Sequence, residues 1–193
     1  MTGSSKTISY TGNEAIGALT ISGTTTLKDI ASGDSRFRLN GNLTVDASKT
    51  LASDDEEYLS MDDSGRTVTI NNTATGISNL FKYQYTHTSG NNNFPECTTK
   101  FLQCAGSGGT VTATGDLTIT TELEVASGAT FNANGNTVTS KFVDTNGTAT
   151  LNLQSSSTLI LSDTSGLTSE SGVTLLAGGG GVTISGSSAA TTF

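Results

Sequence analysis

The chain has one histidine, one proline, no tryptophan and two cysteines in 193 residues. Each scarcity excludes something. An enzyme of the Ser-His-Asp or Cys-His type needs a positioned histidine. Here it would have to rest on His87, whose segment Tyr85-Thr86-His87-Thr88 reads as an ordinary surface or strand position. Two cysteines with no histidine beside them fall short of the four ligands of a structural zinc site. Nine Lys and Arg against 17 Asp and Glu give a net charge of −8. That balance argues against direct nucleic-acid binding, which needs cations to displace counterions from phosphate, and against attraction to anionic membranes. No apolar run approaches the ~20 residues of a membrane-spanning helix. Met1-Thr2-Gly3-Ser4-Ser5-Lys6 lacks the apolar stretch of a secretory signal, so the expectation is either a signal already removed or synthesis in the cytoplasm, the latter suiting assembly into a particle.

Hydrophobic residues make up only 33% of the chain, well below the ~45–50% of an average globular domain. They are placed regularly, however, and that argues for order. Leu117-Thr118-Ile119, Thr137-Val138-Thr139, Thr158-Leu159-Ile160 and Val182-Thr183-Ile184 return at a spacing of about 20 to 25 residues, the range of solenoid repeats. A second set keeps step: Gly128-Ala129-Thr130-Phe131, Gly147-Thr148-Ala149-Thr150 and Gly172-Val173-Thr174-Leu175. Leu19, Leu43 and Val68 repeat the period more loosely in the N-terminal half. Within each segment apolar residues alternate with Thr or another polar residue, the pattern of a half-buried strand. The 23 glycines, with Asn, Asp and Ser, supply turns between strands. One coil per repeat implies an all-β fold, a β-solenoid of the parallel β-helix type. A thin solenoid core needs few apolar residues. A β-sandwich or jelly roll is the alternative, since short strands separated by turn signals describe it too.

The expected organisation is a polar N-terminal arm over residues 1–15, a single solenoid domain over 16–186, and a C-terminal tail over 187–193. Two segments break the period. Asp54, Asp55, Glu56, Glu57, Asp62 and Asp63 read as an exposed acidic loop, in which Asp54 could cap a short helical turn through Met61. Their spacing does not match a Ca²⁺-binding EF-hand loop. Residues 77–109 hold the only His and Pro, both Cys, and Phe81, Tyr83, Tyr85, Phe94 and Phe101. This stretch reads as an aromatic excursion from the solenoid, with those five aromatics as partner contacts; the alternative is a strand pair covering one face or end. Cys97 and Cys104 are open to two readings, a disulfide closing a small loop or two free thiols. No cofactor, metal or catalytic residue is expected.

Gly17-Ala18-Leu19-Thr20-Ile21-Ser22-Gly23-Thr24-Thr25-Thr26-Leu27 and Gly115-Asp116-Leu117-Thr118-Ile119 resemble stretches of phage tail-fibre, spike and capsid-decoration proteins. They are similar as well to passenger repeats of bacterial surface adhesins. The resemblance rests on repeat style and carries over no site residues. It implies a right-handed parallel β-helix in a virion, often trimeric. The expected function is therefore a non-enzymatic structural component of a virus particle, such as a capsid-decoration or cement protein or a tail fibre or spike component. Its partners would be further copies of itself, with a trimer favoured, and other virion proteins. The alternatives are an extracellular cell-surface adhesin or filament subunit of a bacterium or archaeon, and a carbohydrate-active β-helix enzyme.

Overall fold

In the computed structural model every ladder between strands is parallel. The structure describes residues 5–11, 15–29, 36–54, 56–153, 157–162, 167–169, 174–177 and 181–184. Strands recur along the chain with no helix among the described residues. They stack into a β-solenoid of about seven turns. A sandwich or jelly roll is excluded, because antiparallel pairing would dominate it.

Each turn visits three faces. The first face runs through Leu19–Ile21, Leu43–Val45 and Val68–Ile70, and resumes as Asn91–Phe94, Thr110–Ala113, Thr130–Asn132, Thr150–Leu153 and Thr174–Ala177. The second begins with Lys6–Tyr10, Thr25–Asp29 and Leu51–Ser53. It continues through an Ile77–Thr99 bridge into the first legs of the long strands Cys97–Cys104, Leu117–Val125 and Thr137–Thr145. Thr158–Leu161 and Gly181–Ile184 extend it. The third face stacks Ala15–Ile16, Arg36–Leu39, Tyr58–Met61 and Lys82–Tyr85 on the second legs of those long strands. The ladder loses step between Thr99 and Phe101 and between Ile119 and Glu122. There the chain turns the corner between faces, and the inward-facing alternation restarts.

The repeat legible in the sequence is the second face: Leu117 pairs with Val138, Val138 with Leu159 and Leu159 with Val182. Phe131, Leu151 and Leu175 form the first-face column beside it. Leu19, Leu43 and Val68 belong to the same first face, lower in the stack. Inward rows are continuous. Phe37, Leu59, Tyr83, Leu102, Leu123 and Val143 follow one another rung by rung, every one of them buried. Burying a side chain of this size contributes about 1.5–3 kcal/mol.

Three expectations need correction. Residues 6–10 are not an arm: they form the first strand of the second face, and Tyr10 is buried against Phe37. Residues 77–109 are not an excursion, because their strands occupy all three faces in register with the rungs on either side. Asn91-Asn92-Asn93, which resembles a turn, is strand. The single proline, Pro95, sits at the corner between Phe94 and Cys97, a position that asks for no ladder N–H. No helical turn follows Asp54; Tyr58–Met61 is a strand. Residues 187–193 and Asp55 lie outside the described residues.

Candidate functional site

The five aromatics proposed as partner contacts divide by strand parity. Tyr83, Tyr85 and Phe94 point inward and are fully buried. Their rings pack on one another with centroids 5.0–6.0 Å apart. They are core, not contact residues. Phe81 and Phe101 are half-buried on the outside of the third face and at its corner. Cys97 and Cys104 are buried, free thiols at the two ends of one strand. A strand advances about 3.3 Å per residue, so even with the corner at Lys100 their separation far exceeds the ~4.4–6.8 Å between the Cα atoms of a disulfide. Burial pushes the Cys97 thiol up to about 12, with the Glu96 carboxylate adding to the effect. It raises Cys104 as well, assisted by Glu124.

The third face presents two outward rows. In the first, Arg36, Tyr58, Lys82, Phe101, Glu122 and Phe142 lie on successive rungs. The Lys82 ammonium stands 4.1 Å from the Phe101 ring centroid and 5.2 Å from that of Tyr58. At the corner, Lys100 lies 5.1 Å from the Phe81 ring. Such cation–π contacts contribute ~0.5–1 kcal/mol at exposed sites. Tyr58 and Phe142 belong to this face and were missed in the sequence, because a period-two reading of one strand does not say which rungs become neighbours.

The second row holds Arg38, Ser60, Gln84, Gln103, Glu124 and Asp144. It is a chain of side-chain hydrogen bonds. Arg36 reaches the Gln84 Oε1 at 3.4 Å, the Gln84 amide donates to Gln103, and the Gln103 Nε2 donates to the Glu124 Oε2 at 2.6 Å. At the N-terminal end Asp62 accepts from Arg38, from Ser60 Oγ at 2.8 Å and from Thr86 Oγ1 at 2.7 Å. Burial alone would raise the Asp62 carboxyl, but the Thr86 and Ser60 hydroxyls and the Arg38 guanidinium together hold it below its ordinary value. Glu122 moves the other way. Burial raises it, the neighbouring Glu124 and Asp144 add to that, and Lys82 opposes.

Three acidic residues of the loop are ion-paired, Asp62 with Arg38 as above. Asp54 pairs with Lys28 and Asp63 with Arg66. Among the described residues no three His, Cys, Asp or Glu side chains converge in a way that could hold a metal ion. A shallow groove lies at the corner, lined by Ser53, Asp54, Glu56, Asn79, Phe81 and Lys100.

His87 is not at the surface: only 4% of it is exposed. It follows the strand Lys82–Tyr85 and turns inward beneath the first face. Its Nε2 lies 3.1 Å from the Thr110 carbonyl oxygen and its Nδ1 lies 3.2 Å from Asn92 Nδ2. Asn92 is buried as well. It donates to the Asp63 carbonyl at 2.8 Å and accepts from the Arg66 N–H at 3.1 Å. These bonds join the two sheets of the first face where the ladder is interrupted.

Comparison with protein-family models, with curated proteins and with solved structures finds no match to this chain.

Proposed function

We propose that the chain is a non-enzymatic structural component of a virus particle, a capsid-decoration protein or part of a tail fibre or spike. One observation carries this reading. The buried aromatics and the outward amides and carboxylates of residues 77–145 are used in stacking one rung on the next, and the outer face left available is partly aromatic. A stack held by parallel ladders on three faces is stiff along its axis and suits a spacer or cement unit that projects from a shell. The partners are further copies of the chain and other virion proteins.

The test is electron microscopy of the native source material, with mass spectrometry to locate this chain. Regular density on a capsid or tail supports the reading. Filaments or density on a cell surface, with no particle, overturn it in favour of an adhesin or filament subunit.

A further inference from the structure

The third face carries its charge in order. Arg36 and Arg38 stand on one rung, Arg38 paired with Asp62, Lys82 lies two rungs further on, and the carboxylates Glu122, Glu124 and Asp144 occupy the far end. Aromatic rings are spaced between the charges, half-buried and facing outward: Tyr58, Phe101 and Phe142 in the row and Phe81 at the corner. A face whose charge reverses from end to end complements a copy of itself turned end for end.

We propose that this face pairs with the same face of a second copy, the two solenoids antiparallel about a two-fold axis that runs along the strands. Such an axis keeps each row over its own row and reverses the rung order. Arg38 then meets Asp144 of the second copy, while Ser60 and Gln84 lie buried beneath the row and take no part. In the aromatic row Arg36 meets the Phe142 ring, Tyr58 meets Glu122, and Lys82 meets Phe101. Each of these four meetings pairs a cation with a carboxylate or a ring, or a phenol donor with a carboxylate. Because the contact is isologous, each occurs twice.

The charge order selects this arrangement over the parallel one. Solenoids packed parallel through this face, as around a trimer axis, keep equal rungs level. Arginines would then face arginines, and Glu122, Glu124 and Asp144 would face their own copies. Those carboxylates already repel one another within a single chain, and an arginine from a second copy relieves that repulsion. The face spans five rung steps, ~24 Å at ~4.8 Å each. That is a small interface, at the low end of specific contacts, so the dimer is reversible and sensitive to salt. This inference names a partner and a symmetry for the outer face and does not depend on the chain residing in a virion.

The experiment is sedimentation equilibrium of the purified full chain with charge-reversal variants. Arg36→Glu changes an exposed side chain, and Glu122→Lys removes a like-charge repulsion, so both should fold; circular dichroism and a thermal melt verify this. At roughly 0.05 M salt the unaltered chain should sediment at twice its monomer mass. It should return to the monomer near 0.5 M, where screening shortens to a few ångströms. Each variant alone should be monomeric, since its reversed end meets a like charge. An equimolar mixture should regain the doubled mass, because the two reversed ends complement each other. An unaltered chain that is monomeric at low salt, variants that associate as well as the unaltered chain, a trimer, or a mixture that stays monomeric overturns the proposal. None of these outcomes bears on where the chain sits in its source, which microscopy decides separately.

Discussion

The Nδ1 of His87 lies 3.2 Å from the Nδ2 of Asn92, and both residues are buried. An amide nitrogen only donates, so this Nδ1 accepts and the proton of the neutral ring sits on Nε2, directed at the Thr110 carbonyl. A second proton would set two donors against each other inside the core. Burial accordingly lowers the His87 pKa below 6.5, against the smaller opposing pull of the Thr110 and Gly90 carbonyls. The titratable ring facing it is Tyr85, edge-on at 5.8 Å, which burial keeps neutral.

The consequence for acid stability has a definite sign. A depressed folded-state value means that the stabilisation is fully present above pH 6.5 and is lost as pH falls to the lowered value. Within that window the loss is about 1.4 kcal/mol per pH unit. Urea unfolding followed between pH 7.5 and 5 should show it, and His87→Gln should remove this pH dependence. An imidazole that titrates at or above 6.5 by NMR contradicts the account.

Two glycines should respond to alanine for different reasons. At Gly106 a Cβ would run into the backbone carbonyl of His87 on the rung below. Backbone cannot yield as a flexible side chain does, so Gly106→Ala should lose several kcal/mol, on the order of the strongest single-site effects. Gly65 adopts φ +70° with open space around it. Gly65→Ala should lose only about 1 kcal/mol, through backbone strain. Equal denaturation midpoints for the two variants would show that rung contact at Gly106 is not tight.

Truncating the aromatics should separate core from surface. Phe94→Ala removes a fully buried ring packed on Tyr83 and Tyr85 and should cost about 3–5 kcal/mol. Phe101→Ala should cost roughly 1 kcal/mol, chiefly the Lys82 contact and a partial burial. Chemical denaturation of both variants measures the difference, and a larger loss at Phe101 would reverse their assignment.

The thiols should be inert in the native state. Cys97 is held up to about 12 and Cys104 is raised further, so the reactive thiolate is scarce at neutral pH. A disulfide-exchange reagent should label neither within minutes, and both in urea. Oxidation of the native chain should not produce an internal Cys97–Cys104 bond; intact-mass measurement detecting one would refute the strand geometry.

Much of the fold is legible because strands obey a local rule. Alternating side chains, β-branched residues and a fixed repeat are properties of consecutive residues, so Leu117, Val138, Leu159 and Val182 mark out one column by their spacing alone. The third face was missed for a physical reason too. Its strands carry no repeated motif around Tyr83, Leu102, Leu123 and Val143, and the two residues between Ile119 and Glu122 shift the alternation midway through a strand. Residues 77–109 looked exceptional by composition, yet they obey the same parity as the rungs around them.

The sequence by itself determined the strand periodicity, the all-β class and the acidic, Thr-rich character of the chain, since these follow from local pattern and composition; that the strands stack as a parallel solenoid and not a sandwich was decided by the ladders. Only the tertiary structure decided which aromatics are core and which face outward, that the two thiols are held apart, and that His87 is buried against Asn92. It also decided that charges scattered from Arg36 to Asp144 line up on one face. Each of these depends on which rung lies above which, and that register is set by ladder hydrogen bonds between residues about twenty positions apart, whose consequences no single stretch of sequence contains.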